Sequence, residues 1–285
     1  MTANSNLGSR AFVIGMMRPD GSLVANDIYA VGERLGFTTH QIRLVFARLV
    51  DDGVFTQEGR GIRAVLRATD RYRSLHEPEQ DWLRLAYRQD AGVAPWDGQW
   101  TLIAFSLDEE RRSARNALRE LLTTLAAAPL AGGLYVHGLD IRDEVASAAN
   151  ALGVTDDVTL VRTAALDVGG RRDPRVLAAH LWHLDEIAAA YGAFVANFGP
   201  FVRSRRKGAP GDELARGFEL VTEFSRCSGI DPLLPPELLP ARWPGKEARD
   251  VLRRFSARLS RARAAIGVPA LFSKYDELFE ELHAE

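Results

Sequence analysis

Lysine is nearly missing from this chain. Of 36 cationic side chains only Lys207, Lys246 and Lys274 are lysines, and the other 33 are arginines. Arginine is thus the default cation, and an arginine on a surface face is no sign of a ligand by itself. Cysteine is scarcer still. The lone Cys227 excludes an intrachain disulfide and a thiolate metal site, and it reads as a small buried residue. No apolar run approaches the roughly 18 residues needed to cross a bilayer, and the N-terminus shows no basic segment followed by a hydrophobic core, so a soluble, cytoplasmic protein without membrane contact is expected. Neither Gly-x-x-x-x-Gly-Lys-[Ser/Thr] nor Gly-x-Gly-x-x-Gly occurs, there is no Gly-x-Ser-x-Gly elbow, and Cys227 sits in Arg226-Cys227-Ser228-Gly229 without a histidine partner. No enzyme and no cofactor are expected. A large positive excess is absent too: the net charge is −2 and the pI about 6.3, which argues against coating nucleic acid non-specifically. With 46% hydrophobic and 26% charged residues, the 285-residue chain is ordinary globular material for two or three domains.

Residues 38 to 66 hold the strongest pattern. Thr38-Thr39-His40-Gln41 has the spacing of a capping box, in which the Thr38 hydroxyl accepts from the third amide and the Gln41 side chain reaches back. Ile42, Val45, Phe46, Leu49 and Val50 then recur on one helical stripe, which leaves His40, Arg43, Leu44, Ala47 and Arg48 towards the other side. Upstream, Asn26 is placed to cap a helix carrying Ile28, Val31 and Leu35, Gly36 supplies a left-handed stop, and residues 9–17 offer a helix before that. Two helices joined by three or four residues match helix-turn-helix spacing. Downstream, 54–57 and 62–66 read as strands flanking Gly59-Arg60-Gly61, a hairpin tip. The succession is that of a winged helix-turn-helix. Residues 38 to 73 carry seven arginines against Asp51, Asp52, Glu58 and Asp70, a local balance of +3. Double-stranded DNA is the expected partner, with a protein-interaction module as the alternative use of the same fold. Thr39, His40 and Arg43 are the candidates for base edges, Arg48, Arg60 and Arg63 for phosphate or minor groove, and Thr38, Gln41 and Leu44 complete the expected DNA-binding set.

Prolines at 78 and 95 mark residues 74–98 as a linker holding one short helix around Trp82 to Ala86. Residues 100–107 read as a buried strand, followed by an Asp108 cap and a helix with Ala117, Leu118, Leu121, Leu122 and Leu125 inward. Residues 129–133 end that helix, 134–136 form a strand, Val145, Ala148, Ala149 and Leu152 mark a helix, and 158–165 form another strand. That alternation suggests a ferredoxin-like α+β domain. From residue 174 the pattern is helical, with a stripe from Leu181 through Phe198 and further helices at 214–224, 251–266 and 271–282. The expected architecture is α+β and multidomain: a winged helix at 1–73, the linker, a ferredoxin-like domain at 99–173 and a helical domain at 174–285.

The chain resembles the phenylacetic acid degradation repressors, the PaaX-type transcriptional regulators. The resemblance spans most of its length. It is carried by residues 38–49, by Trp96-Asp97-Gly98-Gln99-Trp100, by Leu107-Asp108-Glu109-Glu110-Arg111-Arg112, by Leu181-Trp182-His183-Leu184-Asp185, and by the stretch from Asp231 to Pro240 closed by Trp243-Pro244-Gly245. No single motif is diagnostic, but their order is. The resemblance implies a homodimeric repressor of aromatic-acid catabolic genes, induced by phenylacetyl-coenzyme A. The chain departs from the family pattern in its short wing and in the segment 203–211.

An acyl-coenzyme A effector needs cationic forks for its phosphates, and Phe201-Val202-Arg203-Ser204-Arg205-Arg206-Lys207-Gly208 is the densest basic run. Arg203, Arg205, Arg206 and Lys207 are therefore the phosphate candidates, with Trp182 and His183 beside the acyl group. His180 and His183 have i, i+3 spacing next to Asp185 and Glu186, but ordinary polar residues at a helix start explain them, and no metal is assigned. The middle fold is also that of small metal-dependent nucleases. Asp108, Glu109 and Glu110 would hold their metal, yet cap and first-turn roles account for these acids.

Overall fold

A computed structural model describes residues 3–204, 208–267 and 271–284. The chain packs as two compact units, one of Met1–Tyr87, Gly192–Arg226 and Gly245–Glu285, the other of Arg88–Tyr191 and Cys227–Pro244. Both mix helices with a small antiparallel sheet, so the fold is α+β.

In the first unit the order is α1 (Ala3–Gly15), β1 (Ser22–Val24), α2 (Ala25–Arg34), α3 (Thr39–Asp51), β2 (Phe55–Glu58) and β3 (Val65–Ala68). The expected capping box opens α3: Gln41 N donates to Thr38 Oγ1 at 3.2 Å and Thr38 N donates to Gln41 Oε1 at 2.8 Å. Gly36, at φ +79°, takes the left-handed turn before it. Ile42, Val45, Phe46 and Leu49 are buried as the stripe requires, against α1 and α2. The three strands form one antiparallel sheet in the order β1-β3-β2.

Three details differ from expectation here. Val24, extended and without a side-chain cap, precedes α2, so Asn26 lies inside the helix, and the three residues before it form the unforeseen β1. Ile62 and Arg63 belong to a 3-10 turn at Gly61–Arg63, not to a strand, because the left-handed Gly59 and Gly61 wind the tip into a longer loop. The region read as a broken linker is mostly one helix, α4 (Asp70–Asp90), whose backbone passes through Pro78. A proline removes one helical hydrogen bond, but Tyr72 before it and Leu83 and Ala86 after it are buried and hold the flanking turns.

The rest of this unit is helical: the C-terminal part of α8 (Leu184–Arg203), then α9 (Pro210–Ser228), α10 (Gly245–Ile266) and α11 (Lys274–Ala284). Phe194, Phe198, Phe224, Leu252, Phe255 and Leu259 bury their side chains here. Gly217 lets α9 lie directly on the Phe255 ring, which would overlap a Cβ at that position.

The second unit runs β4 (Trp100–Phe105), α5 (Arg112–Thr124), β5 (Ala128–Ala131), β6 (Leu134–His137), α6 (Arg142–Ala151) and β7 (Val158–Thr163), then α7 (Pro174–Leu181). Its antiparallel sheet has the order β5-β6-β4-β7. Ile103, Phe105, Leu118, Leu122, Val145 and Ala149 form a core between sheet and helices. β5 is where the sequence suggested only a helix stop. Pro129 fits because β5 is an edge strand, paired with β6 alone and with a register shift between Pro129 and Ala131. Leu152, expected inward, is 37% exposed. The stripe from Leu181 to Phe198 is split at Trp182, which is extended at φ −121° and ψ 147°, so His180 and His183 do not share a helix.

Candidate nucleic-acid interface

The capping box and buried stripe of α3 turn its remaining side chains outward as one face. Thr39, His40, Arg43, Leu44 and Arg48 are exposed on it, Leu44 by 42%. Arg60 and Arg63 are exposed on the turn between β2 and β3, with Ile62 between them 64% exposed. Thr38 and Gln41 also lie at this end, their side-chain oxygens engaged in the cap. Among the described residues Arg43, Arg48, Arg60 and Arg63 form no ion pair, although arginines elsewhere in the same unit do: Arg10 with Asp52 at 3.4 Å, Arg18 with Asp27 at 2.7 Å and Arg67 with Glu58 at 3.6 Å. Four exposed cations on α3 and the turn after β2, with donors uncommitted among the described residues, suit phosphate oxygens or guanine edges.

Of the expected effector residues, Arg203 belongs to the first unit and Trp182 and His183 to the second. Arg203 ends α8, 3.7 Å from Glu247, while Arg205, Arg206 and Lys207 lie outside the described residues. The chain on either side of that run, Phe201 with Ser204 and Gly208, lines a cavity of about 480 Å³. Its polar walls are occupied by one another. Nε and Nη2 of Arg258 donate to the Glu213 carboxylate, its Nη1 donates to the carbonyls of Phe201 and Ser204, and its guanidinium lies 4.4 Å from the Phe201 ring centre. Burial acts to raise the Glu213 pKa, but the Arg258 hydrogen bonds and charge outweigh it and hold the carboxyl below its ordinary value. Arg216 donates to Glu219 and Asn197 and lies over Phe198. Arg216 and Glu219 are an i, i+3 pair, but Glu213 with Arg258 and Asn197 with Arg216 stand 45 and 19 residues apart, and no local spacing points to them.

Trp182 and His183 belong to the second unit. Trp182 is buried, donates from Nε1 to the Ala126 carbonyl at 2.8 Å and stacks on Trp100 with ring centres 6.4 Å apart, while His183 is exposed. Beside them His137 is fully buried on β6. Burial pushes its pKa down to about 4, and the Leu139 amide donates to its Nδ1 at 3.0 Å, which fits the neutral ring.

Two of the acids after β4 are committed to structure. Asp108 accepts from Arg111 N, and Glu109 pairs with Arg112 and Arg115. No cluster of three or more His, Cys, Asp or Glu able to hold a metal occurs among the described residues. Within the same set no helix is long and apolar enough to cross a membrane.

Residues 93–177 match the family model of the PaaX protein central Cas2-like domain, and residues 182–266 that of the PaaX-like protein C-terminal domain. The transcriptional repressor PaaX of Escherichia coli (strain K12) is 28% identical over 257 residues, covering 86% of this chain and 77% of that relative. Among solved structures, the uncharacterized protein Rv0674 from Mycobacterium tuberculosis superposes with a TM-score of 0.57 at 23% identity, over 90% of this chain and 97% of that one, a likeness of fold.

Proposed function

This chain belongs to the PaaX family of transcriptional regulators, and on that premise we propose that it is a DNA-binding repressor of a phenylacetate-type catabolic operon, without enzymatic activity. The observation that carries the DNA-binding part is the set of exposed, ion-pair-free Arg43, Arg48, Arg60 and Arg63 on α3 and the following turn. With α1, α2 and the β1-β3-β2 sheet these elements make a winged helix, in which α3 enters the major groove and the turn at 59–64 tracks the backbone. The β4-α5-β5-β6-α6-β7 succession, in sheet order β5-β6-β4-β7, is a ferredoxin-like middle domain, followed by a helical C-terminal domain. Thr39, His40 and Arg43 read bases; Arg48, Arg60 and Arg63 bind phosphate. With a local excess of only +3 in residues 38–73 (seven arginines, four acids), affinity depends on two copies acting together, so the reader is a homodimer.

The effector is an acyl-coenzyme A such as phenylacetyl-coenzyme A, its phosphates met by Arg203 and the 205–207 run. It lowers DNA affinity by binding the released state more tightly than the DNA-bound one. The test is fluorescence anisotropy with a labelled duplex from the promoter of the neighbouring catabolic genes. The expected result is tight binding, at least about 10³-fold weaker on a random duplex and reversed by phenylacetyl-coenzyme A. Equal affinity for the random duplex would remove the specific-repressor reading.

A further inference from the structure

A cavity of about 260 Å³ opens in the first unit between α1, α9 and the residues leading into α11. Ala11, Ile14, Val221, Phe272 and Tyr275 make it largely apolar, Arg10 and Lys274 bring cations to it, and Thr222 sits exposed on its α9 wall. Two chains of contact lead from its lining to the two ends of α3. Arg10 holds Asp52, the residue that terminates α3, through one 3.4 Å contact between partly exposed groups. Phe272 stacks on Phe218 at 6.2 Å, Phe218 meets Phe37 edge-on at 5.5 Å, and Phe37, stacked on Phe12 of α1 at 4.7 Å, directly precedes the Thr38 cap. Phe272 is itself held at φ +56°, a left-handed conformation unfavourable for a phenylalanine, with its amide donating to the carbonyl of Gly15 at the end of α1.

We propose that this cavity is a second ligand site, for a small aryl carboxylate. The ring lies against Phe272 and Tyr275, and the carboxylate takes the Arg10 guanidinium. Size and charge select this class. The volume falls below the roughly 300 to 1,000 Å³ of sites for drug-sized ligands, so it admits one ring with a short side chain and not a nucleotide. The cations favour an anion over a neutral aromatic, and the present partner of Arg10 is an exposed ion pair of little strength, easily exchanged for a bidentate carboxylate. An occupant therefore draws Arg10 from the C-terminal end of α3 and presses on the aromatic chain that ends at its N-cap. The consequence for DNA rests on the reading of α3 as a recognition helix; the binding itself does not.

Calorimetric titration of the full-length chain with phenylacetate, phenylacetamide and phenylacetyl-coenzyme A tests the site. The expected result is saturable binding of phenylacetate, with Arg10→Gln, Thr222→Glu and replacement of the acid by its amide each weakening it about tenfold or more. Urea unfolding of each variant, expected to stay within about 1 kcal/mol of the wild-type chain, shows that the fold is kept. Absence of phenylacetate binding up to about 10 mM, equal binding of the amide, or binding indifferent to both Arg10→Gln and Thr222→Glu overturns the proposal. A coenzyme A thioester that competes with phenylacetate here overturns the assignment to the free acid. The same proteins are then put on the promoter duplex. If the wild-type chain binds no duplex, the recognition-helix reading fails while the calorimetry still decides the cavity.

Discussion

Arginine is used in opposite ways in two parts of the first unit. On α3 and the turn after β2, Arg43, Arg48, Arg60 and Arg63 extend into solvent without a carboxylate among the described residues. On α10, Arg258 and Arg263 are 8% and 3% exposed, and their charges are met by Glu213 and by Asp276. Both regions are equally arginine-rich to the eye. A buried cation must be paired because the interior cannot solvate it, whereas an exposed one left unpaired keeps all its donors for an external anion. Pairing, and not local arginine density, therefore separates the surface suited to DNA from the part that holds the helices together.

The difference is broken most severely at the buried end. Arg258→Met leaves the Glu213 carboxylate without its fork in an apolar setting, and the expected loss is about 3 to 5 kcal/mol in urea unfolding. Adding Glu213→Gln should restore much of it, since the stranded charge is gone. A loss below about 1 kcal/mol for Arg258→Met alone would show that the pair is solvated and that the contrast with α3 is overstated.

His137 is a buried base with no carboxylate partner among the described residues, the intermediate case, and it sits in the second unit. Its folded-state pKa of about 4 lies below the ordinary 6.5, so between these values the unfolded chain binds the extra proton. Stability should therefore be independent of this group above about pH 6.5 and fall on acidification towards pH 4, by up to about 1.4 kcal/mol per pH unit. His137→Asn, which keeps an acceptor for the Leu139 amide, should flatten that slope. An unchanged slope would assign the acid sensitivity to other groups.

Local physics explains which of these features could be read from sequence. The α3 cap and stripe depend on residues three or four apart, so Thr38, Gln41 and the Ile42-to-Leu49 set were legible, as was the exposed face carrying Arg43 and Arg48. The edge strand β5 was not, because Pro129 is a poor strand residue until a one-sided pairing partner is known. Pro78 misled in the same way: one proline outweighed burial that only tertiary packing supplies. The pairing of Glu213 with Arg258, 45 residues apart, has no local signature, unlike the basic run at 203–207. The bond from the Trp182 indole N–H to the Ala126 carbonyl, across 56 residues, has no local signature either.

At the exposed end, Arg43→Ala should cost about 1 to 3 kcal/mol on the promoter duplex if Arg43 forks onto a guanine edge, and should relax specificity at that base pair. Unfolding stability should stay within about 0.5 kcal/mol, because an exposed side chain without an ion pair supports nothing in the fold. A uniform loss on every duplex would make Arg43 a phosphate contact instead.

The smallest effect is expected from Arg60→Ala. Arg60 lies on the turn between β2 and β3, outside the helical face, and a phosphate contact there adds affinity without reading sequence. Each neutralised phosphate releases condensed counterions, so removing one should reduce the slope of log affinity against log salt by about 0.9 per chain on any duplex. Specific and random duplexes should weaken in parallel, leaving their ratio unchanged. A larger loss on the promoter duplex than on the random one would place Arg60 at a base edge or in a narrow minor groove, and would extend the sequence-reading surface from α3 into the turn.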